Sequence, residues 1–194
     1  MTMELDHLVV GAATLEEGVA WCERVLGVTP GPGGKHALMG THNRLLNISG
    51  PLHPRCYLEI IAIDPDAPAP GRTRWFDLDL PALREHLALG PGLIHWVARV
   101  PNLDAALAYW RGEGVDAGEP VEASRGALHW RIALRADGRR LRREALPVLI
   151  EWGEAHPTDG MPDLGVHLLG FDARDGLKAR LATPRGEVEL EVMG

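Results

Sequence analysis

Cysteine is scarce, with two residues in 194, so no disulfide framework organises the chain. Cys22 falls in a helical pattern and Cys56 opens a strand pattern, and both read as reduced core thiols. That usage points to a cytoplasmic protein. Long apolar runs are also missing, since none approaches the roughly 18 residues that a membrane span requires. Met1-Thr2-Met3-Glu4 has neither a basic flank nor a signal-peptide core, so a soluble, unexported chain is expected. Cations are the minority: 20 Lys and Arg against 27 Asp and Glu give a net charge of -7, which opposes a general nucleic-acid role. No HExxH, CxxC or Gly-x-Ser-x-Gly pattern occurs. Gly31-Pro32-Gly33-Gly34-Lys35-His36 lacks both the spacing of a phosphate loop and the Ser or Thr after lysine. What is present, 45% hydrophobic and 24% charged residues, suffices for a sizeable core, and the expected partner is a small molecule.

The chain reads as a repeat. Leu5-Asp6-His7-Leu8-Val9-Val10 is a strand apolar on both faces, followed by a helix with the capping box Thr14-Leu15-Glu16-Glu17, a stripe at Leu15, Val19, Cys22, Val25 and Leu26, and Gly27 at its end. A short strand around His36 to Met39 and strands Arg44 to Ile48 and Tyr57 to Ile63 follow. Asp64-Pro65-Asp66-Ala67-Pro68-Ala69-Pro70-Gly71 is too proline-rich for a packed element and reads as a linker, leading to a short helix from Pro81 to Leu89. The first pattern then returns. Leu93-Ile94-His95-Trp96-Val97-Ala98 lies over the first strand with histidine on histidine, and each histidine precedes its helix cap, Thr14 or Asn102, by seven residues. Strands Gly118 to Ala123, Leu128 to Ala136 and Pro147 to Trp152 complete the second copy. The expected fold is α+β: two paired βαβββ modules, residues 1–66 and 92–156, form a curved mixed sheet around a central cavity. Residues 67–91 join them, and 157–194 add C-terminal strands that cover a sheet edge.

Each module places one glutamate in its last, otherwise apolar strand: Glu59 in Tyr57-Leu58-Glu59-Ile60-Ile61-Ala62, and Glu151 in Val148-Leu149-Ile150-Glu151-Trp152. His7 to Glu59 is 52 residues and His95 to Glu151 is 56, the excess fitting a longer turn around Arg139 to Arg143. Buried carboxylates need positive charge nearby, and a divalent metal on the pseudo-twofold axis would supply it to His7, Glu59, His95 and Glu151. Imidazole nitrogen with carboxylate oxygen suits zinc, nickel, cobalt, manganese or iron. The plainer reading makes these satisfied core histidines and glutamates paired with arginines.

The paired modules with these four residues resemble the vicinal oxygen chelate superfamily, whose glyoxalase I members use such a set as metal ligands. Met39-Gly40-Thr41-His42-Asn43-Arg44-Leu45-Leu46, Tyr57-Leu58-Glu59-Ile60-Ile61-Ala62 and Ile150-Glu151-Trp152-Gly153 resemble, more narrowly, its glyoxalase-like domain family. The resemblance covers residues 4–156 and implies a lyase or isomerase acting on a small substrate with vicinal oxygens, the metal polarising a carbonyl while Glu59 or Glu151 moves a proton. With ferrous iron, oxygenation competes. A metal-free small-ligand-binding module of the same fold is the alternative from another class. His42, Asn43, Arg44 and Trp152 are the candidate substrate contacts, and Arg44, Arg125 and Arg131 are candidate carboxylate binders that otherwise form surface pairs. The run Arg139-Arg140-Leu141-Arg142-Arg143 reads as a solvated face. The linker is long enough to bring His7 and His95 to one cavity within one chain, so a homodimer would be additional to the site.

Overall fold

A computed structural model describes residues 2–141 and 145–192. The first module runs β1 (Glu4–Gly11), α1 (Leu15–Val25), β2 (Lys35–His36), β3 (Thr41–Asn47) and β4 (Tyr57–Ile63). After the linker helix α2 (Pro81–Leu89), the second module runs β5 (Gly92–Arg99), α3 (Leu103–Gly112), β6 (Glu119–Arg125), β7 (Leu128–Leu134) and β8 (Val148–Trp152). The two modules form one mixed eight-stranded sheet in the order β2-β3-β4-β1-β5-β8-β7-β6. Its centre is the antiparallel pair β1 and β5, so the two first strands meet within one chain.

The sheet is covered on both faces. On the convex side Leu8, Leu58, Ile60, Ala98 and Leu149 join α1 and α3 in one core cluster. Helix α1 begins where the Thr14 hydroxyl accepts the Glu17 N–H, and it buries Leu15, Gly18, Trp21 and Cys22. On the concave side Val9, Ile61, Ile94, Val97, Ile132 and Ile150 form a second cluster with Trp75, Phe76, Leu78, Leu83 and Leu87. All five of these last residues belong to the 67–91 connection or its helix at buried positions, so the segment after the proline run fills the concave sheet in addition to spanning it.

Phe76 and Asp77 sit at positive φ, 57° and 63°, a region costly for residues with a side chain. Several contacts hold them there. The Asp77 N–H donates to Gly138 O, and Arg140 donates to the Asp77 carboxylate and to Ile94 O. Arg140 therefore anchors the linker and does not lie on a solvated face; Arg142 and Arg143 lie outside the described residues.

The C-terminal strands β9 (His167–Asp172), β10 (Lys178–Thr183) and β11 (Gly186–Glu191) form a separate three-stranded sheet. Covering a sheet edge was the expectation, but Leu168, Leu177, Ala179, Leu181 and Leu190 enter the convex cluster, and Phe171 packs edge-on to Trp96 at 4.9 Å. Alternating apolar residues on these strands bury one face against the large sheet's convex surface. Among the described residues no helix is long and apolar enough to cross a membrane.

At Gly18 α1 lies so close to β4 that an added Cβ would collide with Ile60 Cγ2. Gly18→Ala improves helix propensity, but the overpacking is expected to win and to lower stability by about 1–2 kcal/mol. Urea unfolding checks this, and a raised midpoint would contradict the packing described.

Candidate active site

On the concave face a polar group gathers on three neighbouring strands. His7 projects from β1, Tyr57 and Glu59 from β4, and Asn43 from β3; in parallel register His7 lies beside Tyr57 and Val9 beside Glu59. With His36, Trp75, Phe76, Arg125, Trp130 and Trp152 they line a small cavity of about 40 Å³.

Glu59 is only 5% exposed. Its Oε1 accepts the Asn43 amide N–H at 2.6 Å, while Oε2 lies 3.7 Å from His7 Nε2 with no hydrogen-bond donor among the described residues. Asn43 is itself fixed. Its Oδ1 accepts the Gly34 N–H at 2.8 Å, and its amide also donates to His36 Nε2 at 3.2 Å. The glycines that superficially suggested a phosphate loop serve this contact, because a Cβ on Gly33 would collide with Asn43 O and Oδ1. Burial pushes His36 below its ordinary range; the Glu59 charge opposes this and the Arg125 charge adds to it, so the ring is neutral and accepts from Asn43.

His7 is positioned by a residue to which the sequence assigned no role. A bulge in β1 between Leu5 and His7 makes Asp6 the extra residue, so its side chain can turn to the same side as its neighbour. Asp6 Oδ1 lies 2.7 Å from His7 Nδ1; Oδ2 accepts from Trp152 Nε1 at 3.0 Å and from His156 Nε2 at 3.0 Å, with Arg99 Nη1 at 3.3 Å. Burial opposes ionisation of Asp6, but the hydrogen bonds from His156 and His7 outweigh it and hold the carboxyl well below the usual range. An ionised Asp6 has no proton to give, so His7 Nδ1 carries the hydrogen of their bond and Nε2 is turned toward Glu59. The Tyr57 ring stacks on His7 at 4.4 Å.

A family model described as a glyoxalase-like domain matches residues 5–183. The chain belongs to the glyoxalase-like domain family. No curated protein matches it. Among solved structures it is similar to a hypothetical protein from Staphylococcus aureus, at 12% identity and a TM-score of 0.63 over 99% of this chain and 86% of that one. A hypothetical protein from Bacillus halodurans is 14% identical with a TM-score of 0.51, over 80% of this chain and 97% of that one. The Streptomyces coelicolor methylmalonyl-CoA epimerase in complex with 2-nitronate-propionyl-CoA is 18% identical with a TM-score of 0.50, over 80% and 99%. At such identities the likeness is one of fold, the vicinal oxygen chelate architecture.

In this glyoxalase-like domain the four expected metal ligands are not brought together. His7 and Glu59 meet. His95 shares their face, in register with Val9, but its fully buried ring does not line the cavity; Phe76, 5.5 Å away, is the lining residue there, and neither His95 nitrogen has a hydrogen-bond partner among the described residues. Burial, with the Arg140 and His7 charges, pushes this imidazole down to about 3. Glu151 faces the convex side, where Oε2 accepts the Leu103 N–H at the start of α3 and lies 3.7 Å from Arg131. The count between histidine and glutamate misleads because the register partner of Val97 is Val148, as Glu59 is that of Val9. Glu151 stands three residues farther along, and an odd step on a strand reverses the face. No group of three or more His, Cys, Asp or Glu side chains among the described residues is arranged to hold a metal ion, so the donor set does not fit zinc, nickel, cobalt, manganese or iron.

Of the expected substrate contacts, Asn43 and Trp152 line the cavity. His42 and Arg44 alternate with Asn43 and fall on the opposite face, in register with Ala62 and Ile60. Arg131 makes a two-pronged pair with Asp104. Asp6, His36, Tyr57 and Phe76 were missed, and the only signal for Asp6 was an acid beside a histidine in an apolar strand. Glu151→Gln is expected to cost about 1 kcal/mol through the weakened α3 start, measured by urea unfolding; unchanged stability would contradict its capping role.

Proposed function

We propose that this glyoxalase-like chain is an enzyme of lyase or isomerase type that moves a proton at a carbon beside a carbonyl in a small substrate with vicinal oxygens. The observation that carries this reading is the Glu59 carboxylate, one oxygen fixed by Asn43 and the other open toward the cavity beside His7 Nε2. A carboxylate held this way is a pre-positioned base, because Asn43 fixes its orientation without occupying the reacting oxygen.

The chemistry follows from the arrangement. Glu59 Oε2 takes the proton from the substrate carbon, and the electron pair left behind moves onto the carbonyl oxygen. His7, in its protonated form, donates from Nε2 to that oxygen, and the Asp6 carboxylate behind Nδ1 stabilises the imidazolium. Return of the proton from Glu59 to a neighbouring position on the same face completes an isomerisation; departure of a group from the adjacent carbon completes an elimination. The small cavity walled by Trp75, Phe76, Trp130 and Trp152 excludes bulk water from the anionic intermediate.

Incubating the protein in D2O with a panel of small carbonyl compounds, and following deuterium incorporation by NMR, tests the proton transfer without requiring the complete reaction. Deuterium is expected at the carbon beside the carbonyl in at least one compound, with the rate falling at least about 100-fold in Glu59→Gln. Exchange that proceeds unchanged in Glu59→Gln would overturn the role of this residue.

A further inference from the structure

We propose that the ligand of this cavity is an organic acid with an apolar body, whose carboxylate pairs with Arg125 and whose body lies in the groove outside it. This inference rests on the reading of the Glu59 cavity as the reaction site. Arg125, at the end of β6, lines both the inner cavity and an adjoining groove of about 240 Å³, as do Leu45 and Pro157. The three residues form the neck between the two spaces.

What distinguishes the Arg125 guanidinium is that it stands at this neck without a counter-charge among the described residues. Arg55, Arg74, Arg99, Arg131, Arg135 and Arg140 each pair with a carboxylate. Arg125 has no carboxylate partner among the described residues, and its one polar contact is with Asn43 Oδ1 at 3.5 Å. It is half-buried and lies across Gly34, where an added Cβ would come within 2.5 Å of Nη1. A partly desolvated guanidinium seated against backbone and left without a counter-charge is a ready receptor for a planar anion.

The surroundings select which anion. Beyond the neck, the groove is walled by Leu45, Leu128, Met161 and Leu164 with Pro32 and Pro157, a mainly apolar lining. Its outer wall comes from the segment that follows β8, so the C-terminal extension contributes to ligand binding as well as to cover. One cation with a carboxylate, Glu59, on the inner side suits a single negative charge and disfavours a phosphate dianion. The inner cavity admits only a few atoms, so the groups next to the ligand's carboxylate enter it and the apolar body stays in the groove.

Isothermal titration of the full chain with butanoate, hexanoate, octanoate and the neutral octanamide tests this. Affinity is expected to rise about threefold per methylene along the acid series, and octanamide is expected to bind at least about tenfold more weakly than octanoate. Arg125→Met should weaken octanoate at least about tenfold and leave octanamide unchanged, while Met161→Glu should weaken octanoate more than butanoate. Equal binding of octanoate and octanamide, no effect of Arg125→Met on octanoate, or affinity independent of chain length would overturn the proposal. The two readings fail separately: Glu59-dependent deuterium exchange without Arg125-dependent acid binding refutes the ligand class alone, and acid binding without Glu59-dependent exchange supports it while refuting the proton transfer.

Discussion

Asp6 has no exposed surface, and an ion there is tolerated only if donors surround it. They come from every part of the fold. His7 belongs to the first module, Arg99 and Trp152 to the second, and His156 to the turn beyond β8, where its Nδ1 accepts from the Thr158 hydroxyl and backbone. One buried charge thus joins the two modules to the C-terminal segment and, through the same oxygen pair, sets the orientation of the histidine beside Glu59. Removing a donor would leave a buried carboxylate short of partners, so the geometry of the site and the cohesion of the fold are the same constraint.

The repeat also explains why only one of its halves carries chemistry. Both first strands bulge at equivalent places: Asp6 is the extra residue before His7, and Ile94 is the extra residue before His95. Where the first module has a carboxylate to orient its imidazole, the second has an alkyl chain in the concave core. His95 is left fully buried, uncharged and without a hydrogen-bond partner among the described residues, with Phe76 over it. In the last strands the same asymmetry appears, Glu59 against Val148. Pseudo-symmetry of the backbone is therefore retained while β1 to β4 supply His7, His36, Asn43, Tyr57 and Glu59, and β7, β8 and the linker supply mainly aromatic and alkyl walls, with Arg125 of β6 at the rim.

Much of this was legible in the sequence. Helix caps at Thr14 and Asn102, the paired first strands and the tract Tyr57 to Ile63 are local signals, and the structure places them as read. His7, Glu59, Asn43 and Trp152 could be found because each interrupts or flanks an apolar strand. What failed depended on register. A bulge cannot be seen in a run of apolar residues, so Asp6 was hidden, and a count along the chain cannot tell an even step from an odd one when the turn between strands varies, so Glu151 was put on the wrong face. His36 and Phe76 were out of reach for another reason: the two-residue strand β2 and the linker follow paths decided by what they pack against, Trp75 for one and His95 for the other.

The account turns on Asp6 holding His7 through Nδ1. Long-range proton–nitrogen NMR of the imidazole rings at neutral pH, assigned with a His7→Gln variant, reads this directly. The account predicts a protonated Nδ1 on His7, and a His7 ring that carries its proton on Nε2 alone would contradict it.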